Sequence, residues 1–164
     1  MTQLLKFKTD IEFYNWMSTH VKYAHFNHKN VGLMSPIAVQ TIKAACCHDQ
    51  VMYELAILQT IPGIEDVKGW FIIEHDSNSH GHETHSAVTY RKKGQLYYFE
   101  NSWYDNRGIH KIKDLKTLYK QYHKDGEFGD IENYPFLEVH PFVGKPGMSL
   151  QELVIACAES DEET

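Results

Sequence analysis

Three residue types that together perform acyl-transfer chemistry occur in order along the chain. Cys47 precedes a strongly apolar run, and His85 and Glu100 follow it in two later segments. A cysteine thiolate is a strong nucleophile, and an imidazole beside it can act first as a base and then as an acid. A third polar side chain holds such an imidazole in the useful orientation. We therefore predict that Cys47, His85 and Glu100 are catalytic, with the adjacent Asn101 as an alternative orienting residue.

A buried helix is predicted to position the cysteine. Residues 47–60 are apolar on almost every side and are followed by Ile61-Pro62-Gly63, which ends a helix. The N-terminus of a helix presents unpaired N–H groups and a partial positive charge, which lower the pKa of a thiol located there. The same N–H groups can bind a developing oxyanion.

A β-hairpin is predicted to position the other two residues. Two strand-like segments, 84–91 and 95–103, flank a Lys-Lys-Gly turn. Because side chains alternate along a strand, Glu100 and Asn101 must lie on opposite faces. Without the strand register either of them can face His85, so both remain candidates.

Helix and strand patterns alternate elsewhere in the chain and predict an α+β fold. Capping-box patterns indicate helix starts at two places, and a Ser-Pro pair indicates a third. The capping boxes are Thr9–Glu12 and Ser149–Glu152, and the Ser-Pro pair is Ser35-Pro36. A further helix is predicted at 114–123, and further strands are predicted at 66–74 and 135–142.

The order "CCHDQ", "THSAVTY" and "YYFENSW" resembles the transglutaminase-like branch of the papain-like cysteine-enzyme superfamily. That branch typically has Cys-x-Asp at a helix start, a histidine leading into an apolar strand, and an aromatic-acidic pair on the next strand. Cys47-His48-Asp49, His85 and Phe99-Glu100 match these three elements in turn. The continuation "ENSWYDNRGIHKIKDLKTL" is similar to small bacterial or phage-associated members. The resemblance covers residues 44–122.

The resemblance implies a papain-like core, with the cysteine-bearing helix packed on an antiparallel sheet. It selects Cys47 over Cys46 as the nucleophile. The sequence departs from the usual pattern in two ways. Ala45 and Cys46 stand in the place of a glycine that commonly precedes the nucleophile, and Glu100 stands where aspartate is more usual.

The neighbours of the predicted triad have more ordinary interpretations. Cys46 is expected to pack as a small hydrophobic residue, and Asp49 to serve the helix N-terminus and nearby backbone. His48 is expected to be partly exposed. Together with Trp103, which could shield the site from water, it is our candidate for substrate binding.

A histidine-rich loop suggests a different chemistry. The segment 75–85 contains His75, His80, His82 and His85 together with Asp76 and Glu83, which could bind zinc or a similar metal. No spacing there defines a ligand pair on a helix, so we predict no metal and no other cofactor.

Composition limits the remaining possibilities. The 164 residues, 42% of them hydrophobic, suit one domain spanning 1–164, ending in an acidic tail at 159–164. The formal charge of −6 with scattered basic residues argues against a nucleic-acid partner. No apolar run approaches the roughly 18 residues of a membrane helix. Three cysteines, two of them adjacent, make a poor disulfide framework, so we expect a cytoplasmic protein.

The sequence therefore predicts a cysteine-dependent acyl-transfer enzyme, acting as a protease, deamidase or transamidase on a protein, peptide or small amide. Two alternatives remain open: a catalytically inactive binding module of the same fold, and a metal-dependent hydrolase using the histidine loop. The oligomeric state is left undetermined.

Overall fold

A computed structural model describes residues 3–25, 32–75, 82–114 and 137–160. Within these ranges the fold is α+β, as predicted, with four α-helices and a five-stranded antiparallel sheet. The helices are α1 (Asp10–His20), α2 (Pro36–Ile42), α3 (Cys47–Leu58) and α4 (Leu150–Glu159). The strands are β1 (Lys22–Tyr23), β2 (Ala44–Ala45), β3 (Ile64–His75), β4 (His82–Lys92), β5 (Gln95–Glu100), β6 (Gly108–Ile112) and β7 (Leu137–Pro141). The predicted helix at 114–123 and the end of the acidic tail, 161–164, lie outside the described residues.

The predicted hairpin is confirmed and forms the centre of the sheet, whose strand order is β6-β5-β4-β3-β7. Lys92 pairs with Gln95 across the turn, and Val88 pairs with Phe99 at the far end. Lys93 and Gly94 both have positive φ angles, 51° and 77°. A two-residue turn with positive φ at both positions matches the right-handed twist of the strands it joins.

Side-chain caps start three of the helices where the sequence predicted. The Thr9 hydroxyl accepts a hydrogen bond from the Glu12 N–H at 3.1 Å. The Glu12 carboxylate, however, accepts from the Lys8 N–H at 2.9 Å, so the first capping box is only half formed. At the start of α4 both halves of the Ser149–Glu152 box are present, and Ser35 caps α2.

The main core lies between the helices and one face of the sheet. The core residues that the sheet contributes are aromatic or aliphatic and completely buried: Phe71, Val88, Tyr90 and Phe99. α3 contributes several buried side chains to it: Val51, Tyr53, Ile57 and Leu58. The opposite face of the sheet carries a second buried cluster: Ala87, Tyr98 and Ile112.

A short parallel pair of strands places the start of α3. Tyr23 of β1 pairs with Ala45 of β2, directly before the two cysteines. The pair was not predicted, because each strand has two residues and the partners are far apart in sequence. Among the described residues, no helix is long and apolar enough to cross a bilayer.

Candidate active site

The start of α3 lies beside β4 at the point where β5 ends. β5 pairs with β4 only as far as Val88, so the β4 residues that precede Val88 extend past the end of β5. The first residues of α3 approach this part of β4, where Cys47 hydrogen bonds His85 and His48 contacts Ser86. Secondary structure that is far apart in sequence thus brings the thiol to the predicted histidine.

The imidazole of His85 lies between the thiol and a carboxylate. Its Nε2 is 2.6 Å from Oε1 of Glu100, and the ring also hydrogen bonds Cys47. An ionised carboxylate can only accept, so Nε2 donates to Glu100 and Nδ1 is left to face the sulfur. All three side chains are buried, with 5%, 7% and 2% of Cys47, His85 and Glu100 exposed.

The surroundings of Cys47 favour its thiolate. Contact with the adjacent Cys46 side chain, opposed by burial and reinforced by His48 and His85, holds the pKa of Cys47 well below its ordinary value. Contact with the Cys47 sulfur, together with burial, raises the pKa of Cys46 above its ordinary value. Geometry also favours Cys47 as the thiol that ionises, because Cys47 contacts the His85 imidazole whereas the Cys46 thiol donates a hydrogen bond to Asp49.

The surroundings of His85 favour its protonated form. Burial by itself would lower the pKa of the imidazole, but the Glu100 carboxylate and the Cys47 sulfur outweigh it and hold the pKa well above its ordinary value. A low-pKa thiol beside a high-pKa imidazole is the arrangement of a thiolate–imidazolium pair. Such a pair supplies both an attacking anion and a proton donor.

The carboxylate of Glu100 is held from several sides. Tyr98 donates its hydroxyl to Oε1, the oxygen that also accepts from His85. The backbone N–H of Ser102 donates to Oε2 at 3.1 Å. With both oxygens occupied, the carboxylate has one orientation, and it fixes the plane of the imidazole.

The alternative orienting residue, Asn101, faces away from His85. Its Nδ2 donates to Oε1 of Gln50 at 2.9 Å, and its Oδ1 accepts from Arg107 at 3.0 Å. The strand register decides between the two neighbours, because Glu100 falls on the face that carries Tyr98 and His85. Asn101 instead joins the start of α3 to the segment after β5.

The expectation that His48 is partly exposed is wrong. Only 5% of the residue is exposed, and its ring lies against Phe71 with a centroid distance of 5.2 Å. Its Nδ1 is 2.6 Å from the Ser86 hydroxyl and its Nε2 is 3.1 Å from the Thr84 hydroxyl. A ring enclosed in this way packs inside the protein, and these contacts give no support to substrate binding.

Two further neighbours of the nucleophile combine packing with polar contacts. Cys46 is buried, as expected, but its thiol also donates toward Oδ2 of Asp49 at 3.2 Å. Asp49 is completely buried, and its Oδ1 accepts from the backbone N–H of Met34 at 2.9 Å. Asp49 thus bonds the backbone of the segment before α2. Trp103 is half-buried after β5, and its role in binding substrate stays a prediction.

Three residues near the triad were not predicted. Tyr98 could have been, because alternation along β5 puts it on the face of Glu100. Glu54 lies two turns after Cys47, and burial together with the neighbouring Glu100 raises its pKa well above the ordinary value, which favours its neutral form. Tyr23 is brought close by the β1–β2 pairing, and no pattern in the neighbouring sequence predicts that pairing. Burial and the two cysteines raise the pKa of Tyr23.

The metal interpretation finds no support in the part of the chain that the structure describes. No group of three or more His, Cys, Asp or Glu side chains is placed there to hold a metal ion. Asp76 and His80 of the predicted ligand set, and the side chains of His75, His82 and Glu83, lie outside what the structure describes.

Comparison with family models, with curated proteins and with solved structures finds no match for this chain. The site is therefore interpreted from its own geometry.

Proposed function

We propose that the protein is a cysteine-dependent acyl-transfer enzyme with a transglutaminase-like variant of the papain-like core. One observation carries the proposal: a buried thiol at a helix N-terminus hydrogen bonds an imidazole whose other nitrogen is 2.6 Å from a carboxylate. The sequence order of Cys47, His85 and Glu100 fits that family as well. A purely structural cysteine has no need of this combination, because packing alone requires neither a base nor an orienting acid.

The first half of the reaction follows from the charges at the site. The Cys47 thiolate attacks the carbonyl carbon of an amide and forms a tetrahedral intermediate. The backbone N–H of Cys47 lies at the N-terminus of α3, where it can donate to the new oxyanion. The His85 imidazolium then gives its proton to the leaving amine, and the C–N bond breaks to leave a thioester on Cys47.

The second half uses the same groups in reverse. His85, now neutral, takes a proton from water or from an amine as that molecule attacks the thioester. Glu100 stabilises the imidazolium that forms and keeps Nδ1 directed at the sulfur. The products are a free acid, or a new amide when an amine is the acceptor, and Cys47 returns as a thiolate.

The test is the pH dependence of iodoacetamide alkylation of the native protein, with peptide mapping of the modified cysteine. We expect rapid labelling of Cys47 near pH ~6, well below the ordinary thiol pKa of about 8.5. Cys157 is an internal control, since burial raises the pKa of its thiol and it should remain unlabelled. Labelling of Cys47 that rises only near the ordinary thiol pKa would contradict an activated thiolate.

A second measurement separates an enzyme from an inactive binding module. Incubation with an activated acyl ester should release a stoichiometric burst of alcohol and add the acyl mass to Cys47. Cys47→Ser should show neither the burst nor the added mass, while Cys157→Ser should show both. A reactive Cys47 that takes up no acyl group would favour the binding module.

A further inference from the structure

His48 makes a pair of contacts that the proposed reaction does not use. It follows the nucleophile directly in α3, and its two ring nitrogens reach hydroxyl groups on β4 at 2.6 Å (Ser86) and 3.1 Å (Thr84). These two residues stand on either side of His85 in the sequence. One side chain therefore connects the residue next to the nucleophile with both neighbours of the base.

Alternation along β4 makes this connection a constraint on the base. Thr84 and Ser86 share one face of the strand, and His85 points to the other. Fixing both hydroxyls fixes the intervening peptide, and with it the direction in which the His85 side chain leaves the strand. Because Cys47 and His48 are adjacent in one helix, the same contact fixes the position of the sulfur.

Packing holds the His48 ring in this place. Phe71 is the cross-strand partner of Ser86 on β3, and its ring lies 5.2 Å from that of His48 at an angle of 30°. Only 5% of His48 is exposed, and its bond to Ser86 is buried while its bond to Thr84 is partly buried. A hydroxyl can donate or accept, so both bonds form with either neutral tautomer of the ring and with its charged form.

We propose that His48 is a positioning residue, which clamps the start of α3 to β4 through Ser86 and Thr84 and so sets the contact between Cys47 and His85. The inference rests on the proposed function, because the contact it sets is that of the proposed thiolate–imidazolium pair. Both ring nitrogens of His48 bond hydroxyl groups, so the imidazole acts on the reaction through the positions of Cys47 and His85 rather than by exchanging a proton.

The key variant is Ser86→Ala, which removes the shorter of the two bonds and leaves the imidazole in place. His48 also contacts the Cys47 sulfur, so His48→Phe by itself would combine loss of position with loss of that contact. We expect Ser86→Ala to slow alkylation of Cys47 near pH ~6 by about 10-fold, since small displacements of catalytic groups have effects of this size or larger. The midpoint of the alkylation profile should move to higher pH.

A graded series at position 48 tests the same bonds from the helix side. An asparagine amide can reach the place of Nδ1 and a glutamine amide the place of Nε2, whereas phenylalanine keeps only the ring packing. We expect His48→Asn to retain more of the reactivity than His48→Phe, because it can keep the bond to Ser86. If His48→Phe does not fold, Ser86→Ala and Thr84→Val on β4 still test both bonds.

The outcomes separate this inference from the proposed function. An ordinary alkylation midpoint in the unmodified protein would overturn the proposed function and the clamp with it. A low midpoint in the unmodified protein that Ser86→Ala, Thr84→Val and His48→Asn leave unchanged would overturn the clamp alone. Lower thermal stability of Ser86→Ala without a shifted midpoint would also overturn it, because the hydroxyl would then serve only the fold.

Discussion

Strand β4 holds a buried ionic cluster near each of its ends, and the two clusters are built from similar parts. Near the hairpin turn, the Asp10 carboxylate accepts from the Tyr90 hydroxyl at 2.6 Å and from Lys92 Nζ at 2.9 Å. Towards the other end, the Glu100 carboxylate accepts from Tyr98 and from His85. Each cluster thus combines an acid, a tyrosine and a base.

The two clusters differ in the base and in what lies beyond it. The base near the turn is a lysine, and its ammonium group joins the start of α1 to the sheet. The base towards the other end is a histidine, which can gain or lose a proton near neutral pH, and a thiol lies on its far side. Of the two clusters, only the one that contains His85 therefore has a base placed to exchange a proton with a nucleophile.

The largest difference between the clusters should appear in the reactivity of Cys47. We expect His85→Ala to slow its alkylation at pH ~6 by about 10²-fold, because a thiol of ordinary pKa, about 8.5, is less than about 1% ionised there. Lys92→Met is the matched control, since it removes the base of the other cluster, and its alkylation rate should equal that of the unmodified protein. Equal rates for His85→Ala and the unmodified protein would remove the distinction between the two clusters.

The next largest effect should appear in stability near the turn. Asp10→Asn removes the carboxylate that pairs with Lys92, and we expect this variant to lower the free energy of unfolding by about 2 kcal/mol. The expected loss is smaller than the full cost of breaking a buried ion pair because Lys92 is partly exposed. Chemical denaturation at neutral pH measures this, and alkylation of Cys47 should stay unchanged.

The same variant has a pH dependence with a defined sign. Burial by itself would raise the pKa of Asp10, but the bonds from Tyr90 and Lys92 outweigh it and lower the pKa. A depressed carboxyl pKa stabilises the fold above the unfolded value of about 3.9, and the contribution is lost as the pH falls through the folded value. The stability difference between the unmodified protein and Asp10→Asn should therefore be constant above pH ~5 and shrink below pH ~4. A difference that persists undiminished at low pH would contradict this account.

The smallest effects should come from the two tyrosines, and they should be alike. Tyr90→Phe and Tyr98→Phe each remove one hydroxyl donor from a buried carboxylate, which we expect to lower the free energy of unfolding by about 1.5 kcal/mol. Tyr98→Phe should alter the alkylation of Cys47 far less than His85→Ala does, because the bond from His85 to Glu100 remains. A loss of reactivity in Tyr98→Phe as large as that in His85→Ala would make the hydroxyl part of the reaction rather than a support for the carboxylate.

Local patterns in the sequence determined the elements that carry the site. Helix α3 and the β4–β5 hairpin were predicted because apolar periodicity, strand alternation and a Lys-Lys-Gly turn are properties of neighbouring residues. The same patterns, with the resemblance to a cysteine-enzyme family, selected Cys47 and His85 and left Glu100 and Asn101 as the two candidates for orienting the imidazole. That the site is catalytic stays a proposal.

Only the tertiary structure decided how those elements meet. The choice of Glu100 over Asn101 required the register of β5 against β4, since neighbours on a strand face opposite sides. The burial of His48 and its bonds to Ser86 and Thr84 required α3 to dock beside β4, and the position of Tyr23 required two two-residue strands to pair. These contacts join segments far apart in sequence, and packing free energy rather than local preference selects them, so no short window of sequence contains them.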